Sequence, residues 1–203
     1  MRILISHISA LDYWRTAGAS NLGNARARAR ATNLARTALA NSDRPQLAKS
    51  TPAPSKCATP IHAIVSNPAA RAHNAQITTH LNTAGIPDAS FVDIGGPFLV
   101  STPELCFFQM ASDLSLARLI ALGFELCGTY STHPTLPTQY NKHPLTSLSQ
   151  LSLFAERVPA MRGKRNAMRA LKYIQERSAS PAETAFAMML CLPYALGGYG
   201  IEQ

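Results

Sequence analysis

A cluster of basic side chains around residue 165 has the composition of a phosphate-binding surface. Residues 157–177 carry seven positive charges and one negative charge, Glu176. Five of these cations lie within eleven residues of one another: Arg162, Lys164, Arg165, Arg169 and Lys172. Arg165, Arg169 and Lys172 recur at helical spacing, so they can follow the backbone of a nucleic acid. The alternative interpretation is the solvated outer face of an amphipathic helix.

A second basic segment lies near the start of the chain. Residues 15–56 carry eight positive charges and one negative charge, and an Ala-Arg repeat there supplies Arg26, Arg28 and Arg30. The block between the two basic segments, 57–156, has a net charge of −3. Basic segments that flank a mildly acidic body favour a polyanionic partner, nucleic acid above all, through counterion release. A solubilising surface is the alternative.

Arg71 and His80 are the isolated candidates of the middle block. They can contact a phosphate or a partner, or they can belong to a structural pair or an ordinary surface. The sequence holds no Ser-His-Asp set, P-loop or dinucleotide fingerprint, so it predicts no small-molecule substrate and no organic cofactor. The four cysteines form no Cys-x-x-Cys pair and no cluster with histidine at ligand spacing, so we expect no disulfide framework and no metal site.

The hydropathy of the chain predicts a cytoplasmic protein. No apolar run is long enough to span a bilayer. The apolar stretch after the first methionine is too short for a signal-peptide core, and no cleavage-site pattern follows it. We therefore expect no membrane association.

The elements that would position these residues indicate a mixed α/β (α+β) fold. Alternating branched residues predict strands at 61–66, 76–80, 91–94 and 98–101, and residues 124–130 are expected to form a further strand or extended segment. Helical patterns are found at 6–17, 103–110, 116–122, 148–157 and 163–177, and Gly123 is expected to end the third of them. Residues 131–147 are typical of a surface loop. These signals predict a small sheet in the middle region with flanking helices, and three segments: 1–60, 61–157 and 158–203.

The last helix has the strongest local signal in the sequence. Ser180, Pro181 and Glu183 form a capping box with proline at the first helical position. The following residues, 185–192, are apolar on every side. A helix of this composition is expected to be buried.

Several of these features resemble, in pattern and order, bacterial proteins of the AbiEi abortive-infection antitoxin type. The strand at 61–66, Arg71, His80 and the segment 98–104 are similar to the middle region of that family. Leu4–Arg15 is similar to its opening helix. Residues 178–200 resemble the first helix of a very-short-patch-repair-like endonuclease domain of the PD-(D/E)XK class, into which some members continue. The resemblance covers about half of the chain.

The resemblance implies a DNA-associated protein of a defence or type IV toxin–antitoxin system. It makes Glu183 a weak catalytic candidate, as a first-helix carboxylate of a magnesium site, although the capping box explains this residue without chemistry. The chain ends before the Asp and Glu-x-Lys that such a nuclease requires. We therefore expect a non-catalytic DNA-associated protein, truncated before the catalytic core. The alternatives are an antitoxin-like protein-interaction module and a fragment of an active magnesium-dependent nuclease.

Overall fold

The computed structural model describes residues 2–22, 31–36, 38, 57 and 59–201. The chain divides into two compact units, each with its own core. Unit 1 comprises residues 1–106 and Val158–Met161, and unit 2 comprises Phe107–Arg157 and the residues from Arg162 onwards. The expected division into the segments 1–60, 61–157 and 158–203 stays a prediction. The first described strand belongs to the same sheet as the strands at 61–101.

Unit 1 is built on a five-stranded mixed sheet with the order β3-β2-β1-β5-β4. Its strands are β1 (Ile3–Ile5), β2 (Ile61–Val65), β3 (Ile77–Leu81), β4 (Phe91–Gly95) and β5 (Phe98–Ser101). The central strand β1 is parallel to β5 and antiparallel to β2, while β2 and β3 are parallel and β4 and β5 antiparallel. With the helices, this sheet confirms the predicted α+β class.

Helix α1 (His7–Ala17) follows the central strand and packs against the sheet. Its inner face buries Leu11 and Trp14. The indole Nε1 of Trp14 donates a hydrogen bond of 2.7 Å to the carbonyl of Ser101, whose hydroxyl donates to the carbonyl of Ile5 at 3.0 Å. Side-chain bonds therefore connect α1, β5 and β1 in the core. A helical segment at 31–36 also belongs to this unit.

Unit 2 is helical apart from one hairpin. Its elements are α2 (Pro103–Met110, which begins in unit 1), α3 (Leu116–Cys127), α4 (Leu148–Arg157), α5 (Lys164–Ala170), α6 (Pro181–Cys191) and the strands β6 (Ser131–His133) and β7 (Leu136–Gln139). The predicted strand at 124–130 is wrong over 124–127, since α3 continues through Gly123 to Cys127. A Cβ at position 123 would lie 2.2 Å from Cδ1 of Ile174, so this glycine provides close packing instead of a helix stop. The predicted surface loop at 131–147 contains the β6–β7 hairpin.

The expected burial of α6 is wrong. Thr184 is the only one of its residues that is buried in the described structure. Phe186 is 59% exposed and Met189 is 42% exposed. An all-apolar composition predicted burial, but only one side of this helix packs against the rest of unit 2, chiefly against α3.

Candidate nucleic-acid interface

Helix α5 is fixed to unit 2 by contacts with the turn between α2 and α3. Gly163 precedes it with a φ of +87°, and a Cβ there would lie 2.6 Å from the backbone nitrogen of Ser112. The side-chain amide of Asn166 donates two hydrogen bonds of 3.1 Å to the carbonyls of Ala111 and Leu114. These contacts hold the opposite face of α5 towards solvent.

The exposed face of this segment carries the predicted cations. Ala167 is fully buried, and so is Ala170, one turn further along the helix. Four cations are exposed and form what we call the basic stripe: Arg162, Arg165, Arg169 and Lys172. The fifth predicted cation, Lys164, is half-buried. The cations at helical spacing, Arg165, Arg169 and Lys172, thus all lie at exposed positions, although the regular helix, Lys164–Ala170, is shorter than the predicted range of 163–177.

The positive charge of the basic stripe is not compensated within the described part of the chain. None of its four side chains forms an ion pair with a described residue. The one acid of the segment, Glu176, accepts a 2.5 Å hydrogen bond from the backbone nitrogen of Leu148. Its carboxylate thus serves the N-terminus of α4, where negative charge is favourable. The stripe is left available to an external anion.

The other predicted nucleic-acid contacts lie elsewhere. Arg71 is exposed in unit 1, directly after the turn Pro68–Ala70. Arg26, Arg28 and Arg30 lie outside the described residues. Arg36, in the same basic segment, pairs with Asp88 at 2.5 Å. The predicted cations of 162–172 thus lie on one segment of unit 2, and Arg71 belongs to unit 1.

Glu183 acts as a helix-capping residue. Its backbone nitrogen donates to the hydroxyl of Ser180 at 3.1 Å, and its carboxylate accepts from the backbone nitrogen of Ala179 at 2.8 Å. The carboxylate reaches one residue further back than in the standard capping box, but it satisfies the same kind of free N–H group. The described residues include no group of three or more His, Cys, Asp or Glu side chains arranged for a metal ion. The carboxylate of Glu183 is therefore engaged in capping α6.

Unit 1 contains a histidine cluster that the sequence did not predict. The rings of His7 and His80 stack with centroids 3.6 Å apart. Nε2 of His80 lies 3.0 Å from Nδ1 of His62, so these two nitrogens share a hydrogen bond. The parallel register of β2 and β3 pairs His62 with Thr78 and His80 with Ile64, so the two histidines are diagonal neighbours, and α1 adds His7 at its first residue. His80 thus contacts both His7 and His62 within unit 1.

The surroundings of His7 make its protonation unfavourable. Burial, with smaller contributions from the imidazoles of His80 and His62, lowers the pKa of His7 from 6.5 to about 3. Its φ of +51° is uncommon for a residue other than glycine. The neutral ring is therefore the form that the folded cluster accommodates.

We expect the stability of unit 1 to decrease below neutral pH because of His7. Its pKa is lower in the folded than in the unfolded chain, so the unfolded chain gains the proton first, and stability is lost as the pH falls from about 6.5 towards 3. The expected loss between pH 7 and pH 5 is about 2 kcal/mol. Urea unfolding followed by the fluorescence of Trp14, the only tryptophan of the chain, measures it. The control His7→Asn tolerates the positive φ and should lose most of this pH dependence; an unchanged dependence would contradict the assignment.

Two thiols of unit 1, those of buried Cys106 and half-buried Cys57, are held in the protonated form. Burial raises the pKa of Cys106 to about 12, and burial together with the nearby Asp12 raises that of Cys57 to about 12. The thiol of Cys106 donates to the carbonyl of His7 at 3.4 Å, and that of Cys57 to the carbonyl of Ser9 at 3.3 Å. Because the thiolate is the reactive form, both groups are inert at neutral pH.

No protein-family model, curated protein or solved structure matches the chain. Among the described helices, none has the length and apolar character needed to cross a membrane.

Proposed function

We propose that this chain is a cytoplasmic, non-catalytic, DNA-associated protein, as its resemblance to AbiEi-type proteins implies. The basic stripe is the observation that carries the proposal. Its four cations are exposed, lie on one face of an anchored helical segment and have no acidic partner among the described residues. A surface of this kind gains free energy when it releases the counterions of a nucleic acid.

The chemistry of the stripe favours contacts with phosphates over contacts with bases. Arginine and lysine side chains that bind phosphate fix the position of a protein on DNA but carry no sequence information themselves. The stripe lies on α5, a helix of seven residues, and on the turn after it. Neither element is long enough to present the stripe along a DNA groove. We therefore propose binding with little sequence preference and with a strong dependence on salt.

A protein-interaction module is the second candidate, supported by the exposed apolar side chains of α6 and the segment after it. Phe186, Met189, Tyr194, Tyr199 and Ile201 are all exposed. Exposed apolar side chains often mark a contact surface where they form one contiguous patch. An antitoxin-like partner protein would bury them.

Binding of duplex DNA at low ionic strength tests the first proposal. If four phosphates are neutralised, the logarithm of the association constant should fall with the logarithm of the salt concentration with a slope of about −3.6, which is roughly a hundredfold loss between 50 and 200 mM salt. Fluorescence anisotropy with a labelled duplex measures this slope. Absence of binding at 50 mM salt would contradict DNA association, and a stoichiometric protein partner would then favour the second candidate. DNA cleavage that requires Mg²⁺ would contradict a non-catalytic role.

A further inference from the structure

The basic stripe leads into a cleft in unit 2. The cleft has a volume of about 800 Å³ and lies between residues 172–175 and the C-terminal segment 191–201. Lys172, the last cation of the stripe, lines it together with Tyr173, Gln175 and Tyr194. The last cation of the stripe therefore also belongs to the cleft.

The outer wall of the cleft is held by backbone hydrogen bonds. Tyr194 lies on a short 3-10 turn, Tyr194–Leu196, which ends at Gly197 with a φ of +86°. The chain then folds back on the end of α6, where the backbone nitrogens of Gly200 and Ile201 donate to the carbonyls of Leu192 and Leu190, both at 2.9 Å. A Cβ at Gly198 would lie 2.0 Å from the carbonyl oxygen of Leu192, so this return requires glycine. The backbone that carries Tyr194 is thus defined by the fold.

The side chains of the cleft suit an unpaired base. Tyr194 is 78% exposed, and its aromatic ring belongs to the same cleft lining as the cation Lys172. Aromatic rings next to a basic path are the elements with which proteins bind single strands, because every base has a face that can stack. Gln175 adds an amide that can donate to and accept from a base edge. A base within a duplex is stacked on both sides and cannot enter such a cleft.

The charge of the cleft distinguishes this ligand from a protein partner. Among the described residues that line the cleft, none is acidic, and Lys172 is the one charged side chain. The adjoining stripe adds three arginines that form no ion pair with described residues. An apolar protein surface would leave this charge uncompensated, whereas the phosphates of a nucleic acid neutralise it.

We infer that the cleft binds an unpaired base of a single-stranded nucleic acid, stacked on Tyr194, while the basic stripe holds the phosphates that precede it. The inference rests on the proposed nucleic-acid binding and names its preferred ligand class. Binding of phosphates by the stripe does not require the C-terminal segment, whereas stacking of a base on Tyr194 does.

Binding of single-stranded and duplex oligonucleotides to the full chain tests the inference. The probes are labelled 15-nucleotide oligo(dT), oligo(U) of the same length and a 15-base-pair duplex, at equal salt. We expect the single strands to bind more tightly than the duplex, and Tyr194→Ala to weaken single-strand binding by about tenfold or more while duplex binding changes less than twofold. Tyr194→Phe keeps the ring and should bind within about threefold of the unaltered chain. Oligo(dT) and oligo(U) report whether the strand is DNA or RNA.

Tyr199→Ala is the matched control. Tyr199 is an exposed tyrosine of the same segment that does not line the cleft, so its loss should leave both affinities unchanged. Equal effects of the two alanine variants, or equal affinity for single strand and duplex, would overturn the inference and leave the proposed DNA association intact. Failure of every probe to bind would contradict both. Self-association that Tyr194→Ala abolishes, without oligonucleotide binding, would assign the cleft to a protein partner and also overturn the inference.

Discussion

Neutralising the basic stripe is expected to remove most of the DNA binding of this protein. Each phosphate contact releases about 0.9 of a counterion, and at about 0.1 M salt this release contributes about 1.2 kcal/mol per contact. Replacing Arg162, Arg165, Arg169 and Lys172 with glutamine should therefore weaken duplex binding by about 4–5 kcal/mol, which is roughly a thousandfold. The slope of affinity against salt should decrease by about 3.6.

The fold should withstand these substitutions. The four side chains are exposed and form no ion pair with described residues, so their removal breaks no stabilising contact there. Surface changes of this kind usually alter the free energy of unfolding by less than about 0.5 kcal/mol per site. Urea unfolding of the variant, compared with that of the unaltered chain, separates a loss of binding from a loss of structure.

A pair of double variants tests whether the position of the charge matters. Arg165→Gln with Arg169→Gln removes two charges from the stripe, and Arg118→Gln with Lys142→Gln removes two from other elements of unit 2. The first pair should weaken binding by about 2–3 kcal/mol and the second by less than about 0.5 kcal/mol. Equal losses of binding free energy in the two double variants would show that DNA responds to the net charge of the protein and not to the position of the stripe.

The sequence predicted the elements whose signals are local. Strands β2, β4 and β5 lie where alternating branched residues indicated them, and α6 begins at Pro181 as its capping box predicted. The division of α5 into cationic and apolar faces was also readable, because it depends only on helical spacing. The α+β class follows from the same local patterns.

The features that the sequence did not predict depend on contacts between distant residues. Strand β1 has three residues, too few to show a period, and its strand character comes from pairing with Phe98–Val100 and with Ala63. Gly123 was predicted to end a helix because glycine often does so. Its packing partner, Ile174, is fifty-one residues away in the sequence, so the local pattern could not indicate the close contact. The histidine cluster likewise needs the register of β2 with β3 before its members become neighbours.

The exposure of α6 shows a different limit of sequence reasoning. An apolar composition allows a helix to be buried, but burial also requires other elements to pack against every side of the helix. In the described structure, Thr184 joins α6 to Tyr130 through a 2.8 Å hydrogen bond between their hydroxyls, while Phe186 faces solvent. The apolar outer side of α6 thus became apparent only from the packing.

Replacing Trp14 with alanine is expected to have the largest effect on the stability of unit 1. Its side chain is 1% exposed in the core. Removing a fully buried tryptophan costs about 3–5 kcal/mol through lost apolar contacts and the remaining cavity. Because whole domains are stable by only about 5–15 kcal/mol, this variant should unfold at a markedly lower urea concentration. Circular dichroism follows the transition without using tryptophan fluorescence.

Trp14→Phe separates the two contributions of this side chain. Phenylalanine keeps much of the apolar volume but leaves the carbonyl of Ser101 without the 2.7 Å bond from the indole nitrogen. The loss of one buried hydrogen bond costs about 0.5–1.5 kcal/mol, so this variant should be intermediate between the unaltered chain and Trp14→Ala. Hydrogen exchange of peptides from β1 and β5 should rise in the same order, because the indole connects α1 to the strand that pairs with β1. If the free energy of unfolding of both variants lay within about 1 kcal/mol of that of the unaltered chain, the buried position of the Trp14 side chain against β5 would be wrong.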